Sequence, residues 1–261
     1  MRVFDFTHAI VREPGPSVVK GLRSVAVPDP AYEDVLAEHR AYVAALAEAG
    51  LVVDIQPPLE DFPDSVFMED PALVFSEGAI LLSPGAPSRL GERDHMRNAL
   101  AAHFETLHEL ARDEYADGGD VLVTPKAVFI GLSARTTRPG AEALSRALAS
   151  LGKSVRIVEP PPGVLHFKTA CALLSEDTIL ATPTLAASGL FEGFRVVTTP
   201  EGEEPAANLI RINDLVLVSG AYLRTAERLT ELGLSVRLMD VREIAKLDAG
   251  LSCLSLRWAK R

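Results

Sequence analysis

Apolar residues along the chain fall in short runs, and the runs recur. Three stretches share one pattern: L-A-E-A-G-L-V-V-D-I at 46–55, L-A-S-L-G-K-S-V-R-I at 148–157 and L-T-E-L-G-L-S-V-R-L at 229–238. Each reads as the end of a helix, a glycine and a strand. Gly50, Gly152 and Gly233 stand where a helix stops in the left-handed conformation that glycine adopts at least cost. Before the first of them, Asp29-Pro30 predicts a helix cap, and Val35, Tyr42, Val43 and Leu46 give that helix one apolar side. Before the other two the likeness extends further: G-D-V-L-V-T-P-K-A-V-F-I-G-L-S-A-R-T (119–136) resembles A-N-L-I-R-I-N-D-L-V-L-V-S-G-A-Y-L-R-T (207–225). Both predict two strands joined by a tight turn, at Pro125-Lys126 and at Asn213-Asp214.

The repeating unit is therefore strand, turn, strand, helix, strand. Its first strand has five candidate starts, Asp70, Asp120, Thr169, Asn208 and Cys253, spaced by 50, 49, 39 and 45 residues. Periods of this size mark units that cannot bury themselves alone. The unit beginning at Cys253 is cut short by the C-terminus. Its missing pieces can come only from the N-terminus, where Arg2-Val3-Phe4-Asp5-Phe6 predicts a strand. The expectation is a closed ring of five units with the two chain ends side by side. A doubly wound α/β sheet is the alternative, but a hairpin in every unit argues against a mostly parallel sheet.

A ring of this kind would gather the residues at its strand starts around one axis. These are Asp64, Glu69 and Asp70; Asp117 and Asp120; His166, Lys168 and Thr169; Asn208; Asp248 and Cys253. Carboxylates lining one cavity repel anions and suit a cation rich in N–H donors. A thiol near a histidine suits attack on an electrophilic carbon, with the imidazole as acid and then base. Cys253 taken alone reads as a small core residue, as do most free cysteines, and His166 alone as a structural histidine. Their shared phase with the repeat raises the functional reading. Cys171, inside a strand, reads as core.

Composition narrows the classes. The 261 residues are 48% hydrophobic and 24% charged, enough for a large core, and no apolar stretch reaches the length of a membrane span. Asp5 interrupts the place where a signal peptide would need its apolar run, so a cytoplasmic location is expected. Two cysteines make no disulfide framework. A net charge of -10 without a basic cluster disfavours nucleic acid and favours a small cationic substrate. No dinucleotide fingerprint, P-loop, nucleophile elbow, H-E-x-x-H or C-x-x-C occurs.

The chain resembles the dimethylarginine dimethylaminohydrolase family of the guanidino-modifying (pentein) superfamily. The likeness rests on T-H-A-I-V-R (7–12), G-L-R-S (21–24), P-D-S-V-F-M-E-D (63–70), P-G-A-P-S-R (84–89), D-G-G-D-V-L (117–122), G-L-S-A-R-T (131–136), G-V-L-H-F-K (163–168) and L-D-A-G-L-S-C (247–253). The resemblance implies a five-bladed αβ-propeller of ββαβ units with pseudo-five-fold symmetry, residues 1–261 forming a single catalytic domain. It implies Cys253 as nucleophile, His166 as acid/base and Asp117 as the carboxylate beside them, where other members carry Glu. It also implies Asp70 for the guanidinium, Arg89 and Arg135 for the substrate carboxylate, and Asp64 for the amino group. Glu69 is a further site residue, Leu22 a lid residue, and Leu247 acts through its backbone. The implied reaction uses no metal or cofactor: hydrolysis of Nω-methylated arginine to citrulline and methylamine or dimethylamine through a thiouronium on Cys253, in a monomer or homodimer. Arginine deimination or amidino transfer on the same fold is the nearest rival, although deiminases generally carry an added helical domain. A non-catalytic protein that binds arginine derivatives is a second, and Cys253 with His166 argues against it. The stretch between Ile10 and Gly21 departs from the family pattern, and Glu13-Pro14-Gly15-Pro16 within it would make a stiff lid.

Overall fold

The computed structural model describes residues 2–24, 26–164 and 166–260. The chain begins with β1 (His8–Arg12), α1 (Tyr32–Glu48) and β2 (Val52–Gln56). The first complete unit is β3 (Ala72–Phe75), β4 (Gly78–Leu81), α2 (Glu92–Ala101) and β5 (Leu107–Glu109). The second is β6 (Val121–Val123), β7 (Val128–Gly131), α3 (Arg138–Ser150) and β8 (Val155–Val158). The third is β9 (Cys171–Leu173), β10 (Thr178–Ala181), α4 (Pro183–Ala186) and β11 (Arg195–Thr198). The fourth is β12 (Ile210–Ile212), β13 (Leu215–Ser219), α5 (Leu223–Glu231) and β14 (Ser235–Met239), followed by α6 (Arg242–Ala245) and β15 (Ser255–Trp258). The third unit has the shortest period, and its helix shrinks to a single turn.

Each unit forms one three-stranded sheet in which the inner strand runs antiparallel to the middle one and the middle parallel to the outer. The last sheet is built from both chain ends, in the order β15-β1-β2, with Ile10 opposite Leu256 and His8 opposite Trp258. The ring expected from the truncated final unit is thus closed by pairing the C-terminal strand with the N-terminal one.

Two local expectations are corrected. The closing strand is His8–Arg12, not Arg2–Phe6. Residues 2–5 form a turn held by the Arg2–Asp5 ion pair and fastened to the β12–β13 turn, where Asn213 donates its N–H to the Phe4 carbonyl at 2.8 Å. The cap of α1 is Ala31, without a side-chain bond; its N–H donates to Glu243 Oε2 at 2.7 Å. Gly50, Gly152 and Gly233 have φ of 94°, 73° and 82°, as the helix stops require.

Successive residues of each inner strand point to opposite neighbours. Val121 packs with Leu73 and Ile80 of the unit before, and Leu122 with Cys171 and Ile179 of the unit after. Ala172 and Leu180 meet Val216 and Val218, while Ala9 and Val11 meet Ile210 and Leu217. Ile10 and Leu256 then close the circle against Ala72, Ala79 and Leu81. The inner and middle strands are buried on both faces, which is why they read as unbroken apolar runs, whereas the outer strands are partly exposed, with Val52, Ile55 and Leu238 open to solvent.

Candidate functional site

The inner strands start one or two residues later than the sequence predicts, and the reason bears on function. Tight 3-10 turns precede four of them: Gly118–Asp120, Phe167–Thr169, Glu204–Ala207 and Leu251–Leu254. Cys253 therefore sits in a turn at the mouth of the ring and not in a strand. Such turns direct polar side chains across the axis while the apolar strands run down it. Cys171, by contrast, begins β9, is fully buried and donates its S–H to the Phe167 carbonyl at 3.3 Å.

Asp117, His166 and Asp70 come together at this mouth. His166 Nε2 lies 3.2 Å from Asp117 Oδ2, and one ligand-type atom from each of the three lies within 4.8 Å of the others. The Asp117 carboxylate is itself positioned, because the Gly85 N–H donates to its Oδ1 at 2.7 Å. Gly119 makes the approach possible: a Cβ there would stand 2.8 Å from Asp70 Oδ1 and 2.9 Å from His166 Nδ1. Asp120, the second carboxylate of the D-G-G-D run, is structural. It accepts from the Ser133 and Thr136 hydroxyls at 2.6 Å each and from the Phe167 N–H at 2.9 Å, so it ties the His166 turn to the neighbouring unit.

The electrostatics follow from this crowding. Burial opposes charge on His166, but the hydrogen bond to Asp117 and the fields of Asp70, Asp120 and Asp117 outweigh it and raise its pKa to about 9. The imidazole is then cationic at neutral pH. Two carboxylates and a histidine could also hold a divalent cation, but a metal would have to displace that proton. Cys253 is pushed the other way. Burial, then the charges of Glu69 and Asp70, raise its pKa to about 11. Burial pushes Asp120 up to about 6. For Asp70, burial is outweighed by Arg89 and His166, which hold it below the ordinary carboxylate range. Burial raises Asp64, against the opposing effects of Arg89, the Leu22 N–H and Arg135.

A stability prediction follows from His166. Its folded pKa of about 9 lies above the ordinary 6.5, so its contribution is fully present below pH 6.5 and is lost as pH rises through 9. Relative to a His166→Gln variant, the wild-type protein should lose up to about 3 kcal/mol over that window. Urea titrations at several pH values check it; parallel pH curves for the two proteins would contradict the assignment.

The remaining predicted residues occupy three positions. Leu22 is half-exposed, and its N–H donates to Asp64 Oδ1 at 2.9 Å, which anchors the 21–24 stretch over the mouth. Leu247 is buried beneath that stretch, since a Cβ on Gly21 would meet its side chain at 3.2 Å. Arg135 is partly exposed and close enough for its charge to act on Asp64. Arg89 differs from the expectation of an arginine presented to a ligand. It is 5% exposed and makes five hydrogen bonds: two to Glu92, one to Asp70, and one each to the Asp64 and Phe67 carbonyls. The Arg89 guanidinium is buried among three carboxylates and is hydrogen-bonded to partners within the protein.

Glu69 is turned toward the axis below the mouth. It is bound by Lys168 Nζ, lies 3.6 Å from Arg257 and is 3.1 Å from the Ser252 hydroxyl. Glu69, Lys168 and Ser252 close one end of an axial cavity of about 480 Å³ lined by the inner strands. His166, Asp117, Asp70 and Cys253 do not line that cavity. Several partners escaped the sequence reading, Glu92 and Ser252 among them. The Arg89/Glu92 spacing of three was the available signal for the first. Ser252 had none beyond being polar beside Cys253.

The family model described as arginine deiminase matches residues 55–215. The N(G),N(G)-dimethylarginine dimethylaminohydrolase of Pseudomonas aeruginosa is 36% identical over 254 residues, 97% of this chain and 100% of the relative. That of Streptomyces coelicolor is 32% identical over 95% of this chain and 96% of the relative. A solved structure of the Pseudomonas protein, a cysteine-to-serine mutant complexed with citrulline, superposes with a TM-score of 0.94 at 36% identity, covering 97% of this chain and 100% of that one. The N-terminal domain of the cyanobacterial arginine dihydrolase ArgZ has the same fold, with a TM-score of 0.84 at 20% identity over 97% of each chain. The five-unit ring and the near-complete alignments agree: the chain belongs to the arginine deiminase family, and within it to the dimethylarginine dimethylaminohydrolases.

Proposed function

We propose that this protein hydrolyses Nω-methylated arginines to citrulline and dimethylamine or methylamine, with residues 1–261 acting as one catalytic unit. The observation that carries the reading is the meeting of a cationic His166, Asp117 and Asp70 at the mouth where Cys253 lies within the field of Asp70. The site has an excess of buried negative charge, and burial, then that charge, keeps the thiol protonated. A guanidinium seated against Asp70 neutralises that charge and brings a cation beside Cys253, which favours the thiolate. The substrate thus activates its own nucleophile.

On substrate binding the Cys253 thiol releases its proton to solvent, since His166 is already protonated, and Sγ forms a bond to the guanidinium carbon, giving a tetrahedral adduct. The C–N bond to the methylated nitrogen breaks, and His166 gives its proton to the departing amine. An S-alkylthiouronium remains on Cys253. His166, now neutral, takes a proton from water as the water oxygen bonds to the same carbon. The C–S bond then breaks as the adduct's hydroxyl gives up the second water proton to solvent or to the released amine, returning the thiolate and leaving the ureido group of citrulline. Asp117 holds the imidazole oriented throughout. Asp64, with the Leu22 backbone, suits the substrate ammonium, Leu247 contributes through its backbone, and Arg135 suits the substrate carboxylate.

Citrulline assays with asymmetric dimethylarginine, monomethylarginine and arginine test the reading. The methylated substrates should be turned over faster; faster turnover of arginine would favour the deiminase reading that the family model's description suggests. Arg135→Ala should raise KM for the methylated substrates roughly ten- to a hundred-fold with kcat within a few fold, because it removes binding shared by ground and transition states. An unchanged KM would remove Arg135 from the clamp.

A further inference from the structure

The 3-10 turn that carries Cys253 is not held by the ring alone. Asn208, two residues before the fourth inner strand, reaches across to it. Its Nδ2 lies 3.6 Å from Cys253 Sγ, and its Oδ1 is 2.7 Å from the Ser252 hydroxyl. Gly250 has extended backbone, so only space requires glycine there: a Cβ at Gly250 would overlap the Asn208 side chain, whose atoms are its three nearest neighbours. The amide is thus wedged between Gly250 and Ser252 with one end on the sulfur.

The orientation of the amide follows from the donors around it. Glu69 already has Lys168 bound and Arg257 nearby. Ser252 has a single proton, and Asn208 Oδ1 is closer to it than Glu69 Oε2, which is at 3.1 Å. With Oδ1 satisfied by Ser252, the N–H end faces Sγ. The reverse orientation would set a carbonyl dipole against a thiolate. We propose that Asn208 is a further catalytic residue, whose side-chain N–H stabilises the Cys253 thiolate during attack and again when the thiolate is expelled, with Ser252 and Gly250 as its positioning residues. Burial, then the neighbouring carboxylates Glu69 and Asp70, oppose ionisation of the sulfur, and the hydrogen bonds from Gly250 and Asn208 act against them within the protein.

The catalytic part of this inference rests on the proposed hydrolysis, but the thiolate part does not, and the experiment separates them. Alkylation of Cys253 by iodoacetamide, followed at pH 9 without substrate and read on the Cys253 peptide by mass spectrometry, reports thiolate reactivity alone. Losing a hydrogen bond to a charged group lowers the thiolate population about ten- to a hundred-fold, and the greater nucleophilicity of the more basic sulfur returns part of it. Asn208→Ala and the isosteric Asn208→Asp should therefore be alkylated about three- to ten-fold more slowly than wild type. Their kcat on methylated arginine should fall at least as much with KM little changed. Gly250→Ala should slow alkylation in the wild-type background and not in Asn208→Ala. Wild-type alkylation rates in both Asn208 variants would overturn the proposal even if the enzyme hydrolyses methylarginines. Slowed alkylation in a protein inactive on them would sustain it and sink the substrate reading instead.

Discussion

Cys253→Ser is expected to lower citrulline formation from dimethylarginine by about three orders of magnitude or more, with citrulline binding within a few fold of wild type. A serine hydroxyl has a far higher pKa than a thiol and is a poor nucleophile without a strong base. His166 cannot serve as that base in the resting enzyme, because its pKa of about 9 keeps it protonated at neutral pH. Ligand binding should survive, since Asp64, Asp70 and Arg135 are untouched and the hydroxyl is smaller than the thiol. Cys171→Ala is the paired control. Cys171 is enclosed in the core between the second and third units, and burial raises its pKa far above the ordinary thiol range. Its loss should cost stability and leave turnover per folded molecule intact. Steady-state kinetics and isothermal calorimetry with citrulline check both variants; an active Cys253→Ser or an inactive, folded Cys171→Ala would remove Cys253 as the nucleophile.

The second large effect concerns Arg89. Its guanidinium neutralises Asp70 and Glu92 directly and acts on Asp64, all of them buried. Arg89→Ala leaves these carboxylates facing one another without a cation. Breaking a buried ion pair from one side costs about 3–5 kcal/mol, which for a chain of this size lowers the melting temperature by roughly 10 °C. Turnover should fall as well, because Asp70 loses the partner that keeps it ionised for the guanidinium. Arg135→Ala should leave the melting temperature nearly unchanged. Thermal unfolding of the two variants side by side distinguishes an arginine inside the wall from one on it. A fully stable Arg89→Ala with only a raised KM would place Arg89 on the wall after all.

The contrast between the two arginines marks how far the sequence alone could reach. The ring was legible because its signals are periodic: glycines at helix ends, apolar runs with both faces buried, and a last unit that needed the N-terminus to complete it. The polar residues at the strand starts were legible for the same reason, as departures from an apolar pattern at a constant phase. Partnership was not. Nothing in the order of residues says whether Arg89 faces a ligand or Glu92, because that depends on the path of one loop. Likewise Asn208 stood in the correct phase, but its role depends on the bare Gly250 beside it, a close approach that only coordinates reveal. Although the closing strand is His8–Arg12, Arg2–Phe6 alternates like a strand. Its polar members instead pair with each other and with the β12–β13 turn.

The most direct test of the account is to quench turnover of asymmetric dimethylarginine in acid and map the peptides by mass spectrometry. The account predicts a thiouronium adduct on the peptide containing Cys253, none on that containing Cys171, and release of dimethylamine matching citrulline mole for mole. Citrulline formed with Cys253 never modified, or an adduct carried by Cys171, would contradict it.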